Sequence, residues 1–259
     1  MNRRTLTVLF SVAGGLLLLF VLLPLAATLI STSPAELGEA LGDPEVGNSL
    51  ALTLTASAIA TVLVMVTGIP LAYLLARRRF PGRRLVESLI DLPIVIPHTA
   101  AGIALLMVLG SRGVVGRTLA PLGITFVDSV AGVVAAMAFV SLPYLVNLSR
   151  EAFALVDVEL EQAALVDGAT AWQSFRLVVL PIAWRGVVSG MLMMWARGIS
   201  EFGAVIILAY HPKIVPVLIF ERFQGFGLAS AQPVAVLLIL VVLAVFLLLR
   251  MVLLPRSSE

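Results

Sequence analysis

Two charged residues four positions apart, Arg197 and Glu201, lie inside an apolar stretch of the sequence. This spacing places their side chains next to each other on one face of a helix. Because an isolated charge at the centre of a bilayer costs at least ~2.5–3.5 kcal/mol, that face is expected to contact protein or water rather than lipid. The pair either lines a path for a polar solute or fixes helix packing as an ion pair, and the sequence leaves both interpretations open.

Few side chains in the apolar stretches could bind an anion. An anion can be held by helix N-termini, hydroxyl groups and arginine. The candidate residues are His98, Thr99, Ser141, Ser189, Ser200 and Arg197. Such a sparse set predicts a passage of low affinity and not a selective binding site. For His98 a second interpretation stays open, since its ring could simply hydrogen-bond a backbone carbonyl.

The residue types exclude several kinds of catalysis. The chain has no cysteine and two histidines, too few for a convincing zinc centre. Its single lysine, Lys213, lies between Pro212 and Ile214, so the chain lacks the lysine-containing phosphate loop of an ATPase. We therefore expect that the chain is not an enzyme, that it holds no metal or cofactor, and that a partner supplies its energy.

The composition indicates an integral membrane protein. Of the 259 residues, 60% are hydrophobic and 12% are charged, whereas about 25% are charged in an average soluble domain. So few charged side chains could not cover a water-facing surface. The predicted fold class is an all-α integral membrane protein, in contact with membrane lipid.

Six apolar stretches are long enough for a transmembrane helix, which needs about 20 residues. They are Leu6–Ile30, Leu50–Leu75, Leu89–Leu109, Ser129–Leu148, Gly186–Tyr210 and Pro233–Leu254. The third stretch contains Pro93 and Pro97, which are expected to kink it or delay its start. The fifth contains the charged pair, so these two spans are the interrupted ones. Residues 1–259 are predicted to form a single transmembrane domain.

The distribution of arginine predicts the orientation of the chain. With a cytoplasmic N-terminus, about three times as many Lys and Arg residues lie on the inner side as on the outer side. Six spans then return the C-terminus to the cytoplasm, as expected for a multi-pass protein of the cell membrane. The densest cluster, residues 77–84, reads Arg-Arg-Arg-Phe-Pro-Gly-Arg-Arg. Between two spans, a topology anchor is a better explanation for it than nucleic-acid binding.

The longest inner loop, residues 150–185, has the pattern of two short helices. Asp157 is a candidate N-cap for a helix over Val158–Asp167. Gly168 is expected to end that helix, because glycine adopts the left-handed conformation at little cost.

The second short helix of this loop has a capping-box pattern, Thr170 followed by Gln173. Pro181 is expected to break the chain before the fifth span. The resulting hairpin either docks into a groove of a partner protein or lies on lipid headgroups.

One segment of the inner loop resembles the EAA loop of ABC importer permeases. It reads Glu161-Gln162-Ala163-Ala164-Leu165-Val166-Asp167-Gly168, and Val178-Val179-Leu180-Pro181 follows after nine residues. The resemblance implies a coupling helix that docks into a cleft of the ATP-hydrolysing subunit. The implied docking residues are Glu161, Gln162, Ala163, Ala164, Asp167 and Gly168. Gln162 stands where the family usually has glutamate, so no specific salt bridge is expected from that position.

Three further segments are similar to permeases for sulfate and molybdate. Residues 92–103 look like the third span of both, while residues 196–204 and 216–223 look most like the molybdate/tungstate branch. The resemblance implies a type I ABC importer permease that works as a homodimer. It also implies two ATPase subunits, which bind ATP and Mg²⁺, and an extracytoplasmic oxyanion-binding protein that selects the substrate.

The sequence thus predicts the permease subunit of an ATP-driven importer for a tetrahedral oxyanion, molybdate or tungstate. Import of sulfate or thiosulfate is the alternative within the same family. Two alternatives come from other classes: an ion-coupled secondary carrier that uses Arg197 and Glu201, and a membrane scaffold whose inner hairpin recruits a partner without transport.

Overall fold

A computed structural model describes residues 2–253, and the regular structure within this range is entirely helical. The helices are α1 (Arg3–Ile30), α2 (Pro34–Gly42), α3 (Pro44–Arg77), α4 (Arg83–Val95), α5 (His98–Leu109), α6 (Val114–Leu119), α7 (Val130–Ala154), α8 (Val158–Val166), α9 (Ala171–Ser174), α10 (Leu180–Ile199), α11 (Gly203–Leu208), α12 (Val215–Phe226) and α13 (Leu228–Leu253). A short 3₁₀ turn follows α6, and a π-helical turn, Phe175–Val179, joins α9 to α10.

Five helical segments are long and apolar enough to cross a membrane, and a sixth span is obtained if the bent pair α4 and α5 is counted as one. This confirms the predicted all-α fold of a multi-pass membrane protein. The first, second, fourth and sixth predicted stretches lie within α1, α3, α7 and α13, except that Ser129 is the N-cap of α7. Leu254, the predicted end of the last span, lies outside the described residues.

The third predicted span, Leu89–Leu109, is not one helix. It begins inside α4, and α4 and α5 meet at an angle of 114°. The break lies at Ile96 and Pro97, because proline has no N–H to donate and forces the preceding residue into an extended conformation. Pro93 lies inside α4 without ending it. The predicted interruption is confirmed, and one of the two prolines causes it.

The predicted interruption of the fifth span, Gly186–Tyr210, is also confirmed. Helix α10 ends at Ile199, and α11 begins only at Gly203. At the other end the helix starts earlier than predicted, since Ala171–Ile199 is continuous. Pro181 does not break it, because proline is tolerated in the first turn of a helix and the wider π turn precedes it.

The centre of the bundle is formed by α3, α7 and α10, which meet along small residues. An added Cβ at Gly190 of α10 would lie 3.1 Å from the Leu145 carbonyl oxygen of α7. Ser57 of α3 donates to the Trp195 carbonyl oxygen of α10 at 2.6 Å. Small residues let membrane helices approach closely, so that van der Waals packing holds them together. Gly186 of α10 permits a second close approach to α7, since an added Cβ there would clash with the Cβ of Ala152.

Helix α1 stands apart from this centre, and none of its residues is buried. Its C-terminal end is attached to α13 through Gln232, whose amide nitrogen donates to the hydroxyls of Ser31 and Thr32 at 2.8 Å each. The apolar sides of α1 are therefore open along most of its length.

Ion pairs fasten α12 to the beginning of α3. Arg222 pairs with Asp43, and Lys213 lies 3.0 Å from Glu45 and 2.8 Å from Glu221. The hydrogen bond from Arg222 lowers the pKa of Asp43, and the bonds to Glu221 and Glu45 raise the pKa of Lys213. Both groups are charged near neutral pH, and these shifts extend the pH range over which the attachment holds.

Candidate functional site

The hairpin of residues 150–185 consists of α8, a glycine turn and α9. Asp157 caps α8 by accepting a hydrogen bond from the Glu159 N–H at 3.0 Å. Gly168 has a φ of +90° after the last turn, a conformation that glycine adopts without strain. The predicted N-cap, helix and glycine turn are confirmed, although α8 ends at Val166 rather than at Asp167.

Helix α9 opens with the predicted capping box. The Gln173 N–H donates to the Thr170 hydroxyl at 3.2 Å, and the Thr170 N–H donates to the Gln173 side chain at 2.7 Å. Both bonds are local, which explains why the sequence alone predicts them.

Most of the hairpin surface is exposed. Gln162, Ala163, Asp167 and Gly168 are exposed, and Ala164 is half-buried. Large apolar side chains are exposed beside them: Leu155, Val158, Leu160, Leu165, Val166 and Trp172. A concentration of exposed apolar side chains of this kind is typical of contact with another protein or with lipid.

Glu161 is the exception among the predicted docking residues, because its side chain points into the bundle. It forms an ion pair with Arg77 and accepts a hydrogen bond from the Tyr73 hydroxyl at 2.8 Å. The side chains of Arg77 and Glu161 are only 10% and 12% exposed. Arg77 also donates to the Val156 carbonyl oxygen at 2.8 Å. Its guanidinium therefore contacts both α8 and the segment between α7 and α8.

Three aromatic rings pack directly beside this ion pair. The ring centroids of Tyr73 and Phe175 are 4.8 Å apart, and Phe153 lies 5.7 Å from Tyr73 and 5.9 Å from Phe175. The rings belong to α3, α7 and the π turn. The base of the hairpin is thus fastened to two membrane helices. The sequence alone did not assign Tyr73 and Arg77 to this site. Their spacing of four residues at the end of a span places them on one helix face, and this was the signal that could have identified them as a pair.

A second polar site lies where two helices are broken. Glu201 occupies the gap between α10 and α11 and is completely buried. Its carboxylate accepts hydrogen bonds from Arg197 Nη2 at 2.9 Å and from the Ala204 N–H at 2.8 Å. His98 Nδ1 lies 3.2 Å from the same carboxylate. The predicted contact between Arg197 and Glu201 is confirmed, although the helix ends between them.

The two breaks meet because α5 and α11 pack against each other. An added Cβ at Gly203 would lie 2.7 Å from the Cβ of His98, and one at Gly102 would lie 2.8 Å from the Cβ of Ile207. His98 is the first residue of α5, and Arg197 Nη2 lies 2.9 Å from each of its ring nitrogens. His98 therefore contacts side chains, not the backbone carbonyl of the alternative interpretation.

The other predicted anion contacts divide into two groups. Ser200 and Thr99 are exposed beside the junction, and Arg197 Nη1 donates to the Ser200 hydroxyl at 3.2 Å. Ser141 is buried beside Gly198, and Ser189 donates to the Arg185 carbonyl oxygen at 2.9 Å. The junction thus brings together Arg197, His98, Ser200 and Thr99 with Glu201 behind them.

A family model described as "binding-protein-dependent transport system inner membrane component" matches residues 68–255. The chain belongs to this family. The match includes both the hairpin and the junction of broken helices, so both sites are part of a binding-protein-dependent permease.

Several members of the family are similar to the chain over most of its length. The molybdate/tungstate transport system permease protein WtpB of Thermococcus kodakarensis is 38% identical over 252 residues, which cover 96% of this chain and 97% of the relative. The WtpB protein of Pyrococcus furiosus is 40% identical over 253 residues, 96% of each chain. The sulfate transport system permease protein CysT of Escherichia coli is 36% identical, covering 87% of this chain and 86% of the relative.

Solved structures of ABC transporters share the fold. One chain of a bacterial ABC transporter involved in the import of the acidic polysaccharide alginate has a TM-score of 0.76 at 17% identity, covering 99% of this chain and 98% of that chain. A second alginate transporter structure, in complex with an alginate pentasaccharide-bound periplasmic protein, has a TM-score of 0.74 at 18% identity, covering 96% and 94%. The likeness shows that this chain has the membrane fold of ABC importers.

We expect the change Glu201→Gln to destabilise the folded protein. The amide keeps the shape of the side chain but leaves Arg197 without a counter-charge, at a cost of about 1–3 kcal/mol for a lost charged hydrogen bond. Thermal unfolding of the purified protein in detergent measures the effect. Glu39→Gln, on an exposed residue of α2, is the matched control. Equal unfolding midpoints for the two variants would contradict the role assigned to Glu201.

Proposed function

We propose that the chain is the permease subunit of an ATP-driven importer for molybdate or tungstate. The observation that supports the cargo is 38–40% identity, over 96% of the chain, to molybdate/tungstate permease proteins. Two copies of the chain form the passage, and two ATPase subunits bind at the cytoplasmic hairpins. An extracytoplasmic binding protein delivers the anion, and both termini lie in the cytoplasm.

The hairpin is the element that supports ATP-driven transport. Its exposed residues, Gln162, Ala163, Asp167 and Gly168, dock in a cleft of the ATPase subunit, with the exposed apolar side chains around them. Closure of the ATPases on ATP draws the two hairpins together and opens the passage outward. Hydrolysis returns it to the inward-open state after the anion has been released from its binding protein.

Within this proposal Glu161 serves a different purpose from the other hairpin residues. Its buried contacts with Arg77 and Tyr73 tie α8 to the end of α3. A displacement of the hairpin is therefore passed to a membrane helix instead of being absorbed by a flexible loop. Glu161 and Arg77 therefore link the hairpin surface that meets the ATPase to helix α3. We call this link, formed by the two residues, the lever.

The junction of broken helices is the proposed contact with the anion in transit. Arg197 supplies positive charge, and Ser200, His98 and Thr99 supply polar groups at its exposed side. Glu201 orients Arg197 and offsets part of its charge. An anion is then attracted without being trapped, which a conducting path requires. Selection of the substrate belongs to the binding protein, consistent with the small number of polar groups.

Import of sulfate or thiosulfate is the second candidate. It is supported by 36% identity over 237 residues to the sulfate permease protein CysT. Both cargoes are tetrahedral dianions of the same charge, so the polar groups at the junction do not separate them.

The cargo is tested by the ATPase activity of the complex reconstituted with its binding protein. We expect molybdate or tungstate to stimulate hydrolysis at concentrations at which sulfate has no effect. Stimulation by sulfate alone would keep the ATP-driven importer and replace its cargo. A complex that forms but responds to none of the three anions would contradict the proposed oxyanion import.

The lever is tested by exchanging its two charges. We expect Arg77→Glu and Glu161→Arg each to lower anion-stimulated hydrolysis by roughly 5- to 150-fold, the usual size of coupling between sites. The double variant, which restores an ion pair of opposite polarity, should recover much of the loss. Glu159→Arg, on an exposed residue of the same helix, is the control. A double variant no better than either single one would contradict the lever.

A further inference from the structure

The turn between α3 and α4 contains arginines with very different surroundings. Arg77, at the end of α3, is paired with Glu161, as described above. Arg83 lies 3.0 Å from Glu87, and Arg150 of α7 lies 2.9 Å from the same carboxylate oxygen. These three arginines are ion-paired within the chain, although Arg83 and Arg150 share one carboxylate.

Arg79 and Arg84 are not ion-paired in this way. Both are exposed, and neither forms an ion pair or a side-chain hydrogen bond with any of residues 2–253. With Phe80, Gly82, Arg83 and Glu87 they line an open depression of about 520 Å³. Since the Glu87 carboxylate is already shared by two other arginines, the depression has a net positive charge available to a ligand.

The positive depression continues into an apolar surface along α4. Leu85, Leu89 and Leu92 are all exposed, and their spacing places them on one side of the helix. The flank of α4 next to this stripe is buried through Ile90 and Pro93. A cationic end and an apolar stripe therefore form one continuous surface, matching a molecule with an anionic head and a hydrocarbon tail.

We propose that this surface binds an anionic phospholipid in the leaflet on the hairpin side of the membrane. Arg79 and Arg84 hold the headgroup phosphate, and an acyl chain lies along Leu85, Leu89 and Leu92. Arginine suits this task because its planar group of donors matches the oxygens of a phosphate. A water-soluble protein partner would match the arginines but leave the apolar side of α4 uncovered.

The lipid site is tested by native mass spectrometry of the purified chain with added phosphatidylglycerol or phosphatidylcholine. We expect the wild type to retain phosphatidylglycerol preferentially. Each arginine near an anionic membrane surface contributes about a fivefold gain in affinity. Arg79→Gln and Arg84→Gln should therefore each reduce retention about fivefold, and the double variant by more. The control is the pair Arg112→Gln and Arg117→Gln, exposed arginines near the opposite end of the bundle.

Two further outcomes identify other occupants. If inorganic phosphate displaces the lipid and Leu89→Asn has no effect, the depression is a free-anion site and the lipid assignment is wrong. If the arginine variants retain phosphatidylglycerol normally but no longer bind the ATPase subunit, the surface contacts a protein. The measurement is made on the permease chain alone, so a failure of the proposed transport would leave it intact.

Discussion

The ion pair between Arg77 and Glu161 is the contact on which the functional organisation of this protein depends. Helix α8 has 9 residues, fewer than the ~12–15 that an isolated helix needs for even marginal stability in water. Its shape and position are therefore set by what holds its base. The nearly buried ion pair, the Tyr73 hydroxyl and the adjoining aromatic rings supply that support. They make the hairpin a rigid extension of the membrane helices, while the rest of its surface stays open to a partner.

A second ion pair between a carboxylate and an arginine lies at the junction around Glu201. Broken helices leave backbone groups without partners, which is tolerated in a membrane only where protein or water satisfies them. Glu201 satisfies the Ala204 N–H and holds Arg197 at the same time. One ion pair thus fixes the end of the bundle that meets the ATPase in our proposal, and the other fixes the site that meets the anion. The helices α3, α7 and α10 connect them as one packed body.

Local patterns in the sequence were sufficient for part of this structure. Run length gave the membrane helices, and the caps at Asp157 and Thr170 followed from neighbouring residues. The ends of the broken helices did not follow from neighbouring residues. The breaks accompany the packing of Gly203 on His98, and these two residues are far apart in the chain. The partner of Glu161 was missed for the same reason, since Arg77 lies 84 residues away. The resemblance to the EAA loop indicated docking residues in the hairpin but left open which of them faced inward.

The central claim, that the hairpin moves the membrane helices, is tested most directly by distance measurements between spin labels in the assembled transporter. The chain contains no cysteine, so labels introduced at Asp167→Cys and, separately, Arg117→Cys are unique in each copy. The account predicts that trapping ATP in the ATPase subunits shortens the distance between the two copies at position 167 and lengthens it at position 117. Shortening at 167 without any change at 117 would contradict it.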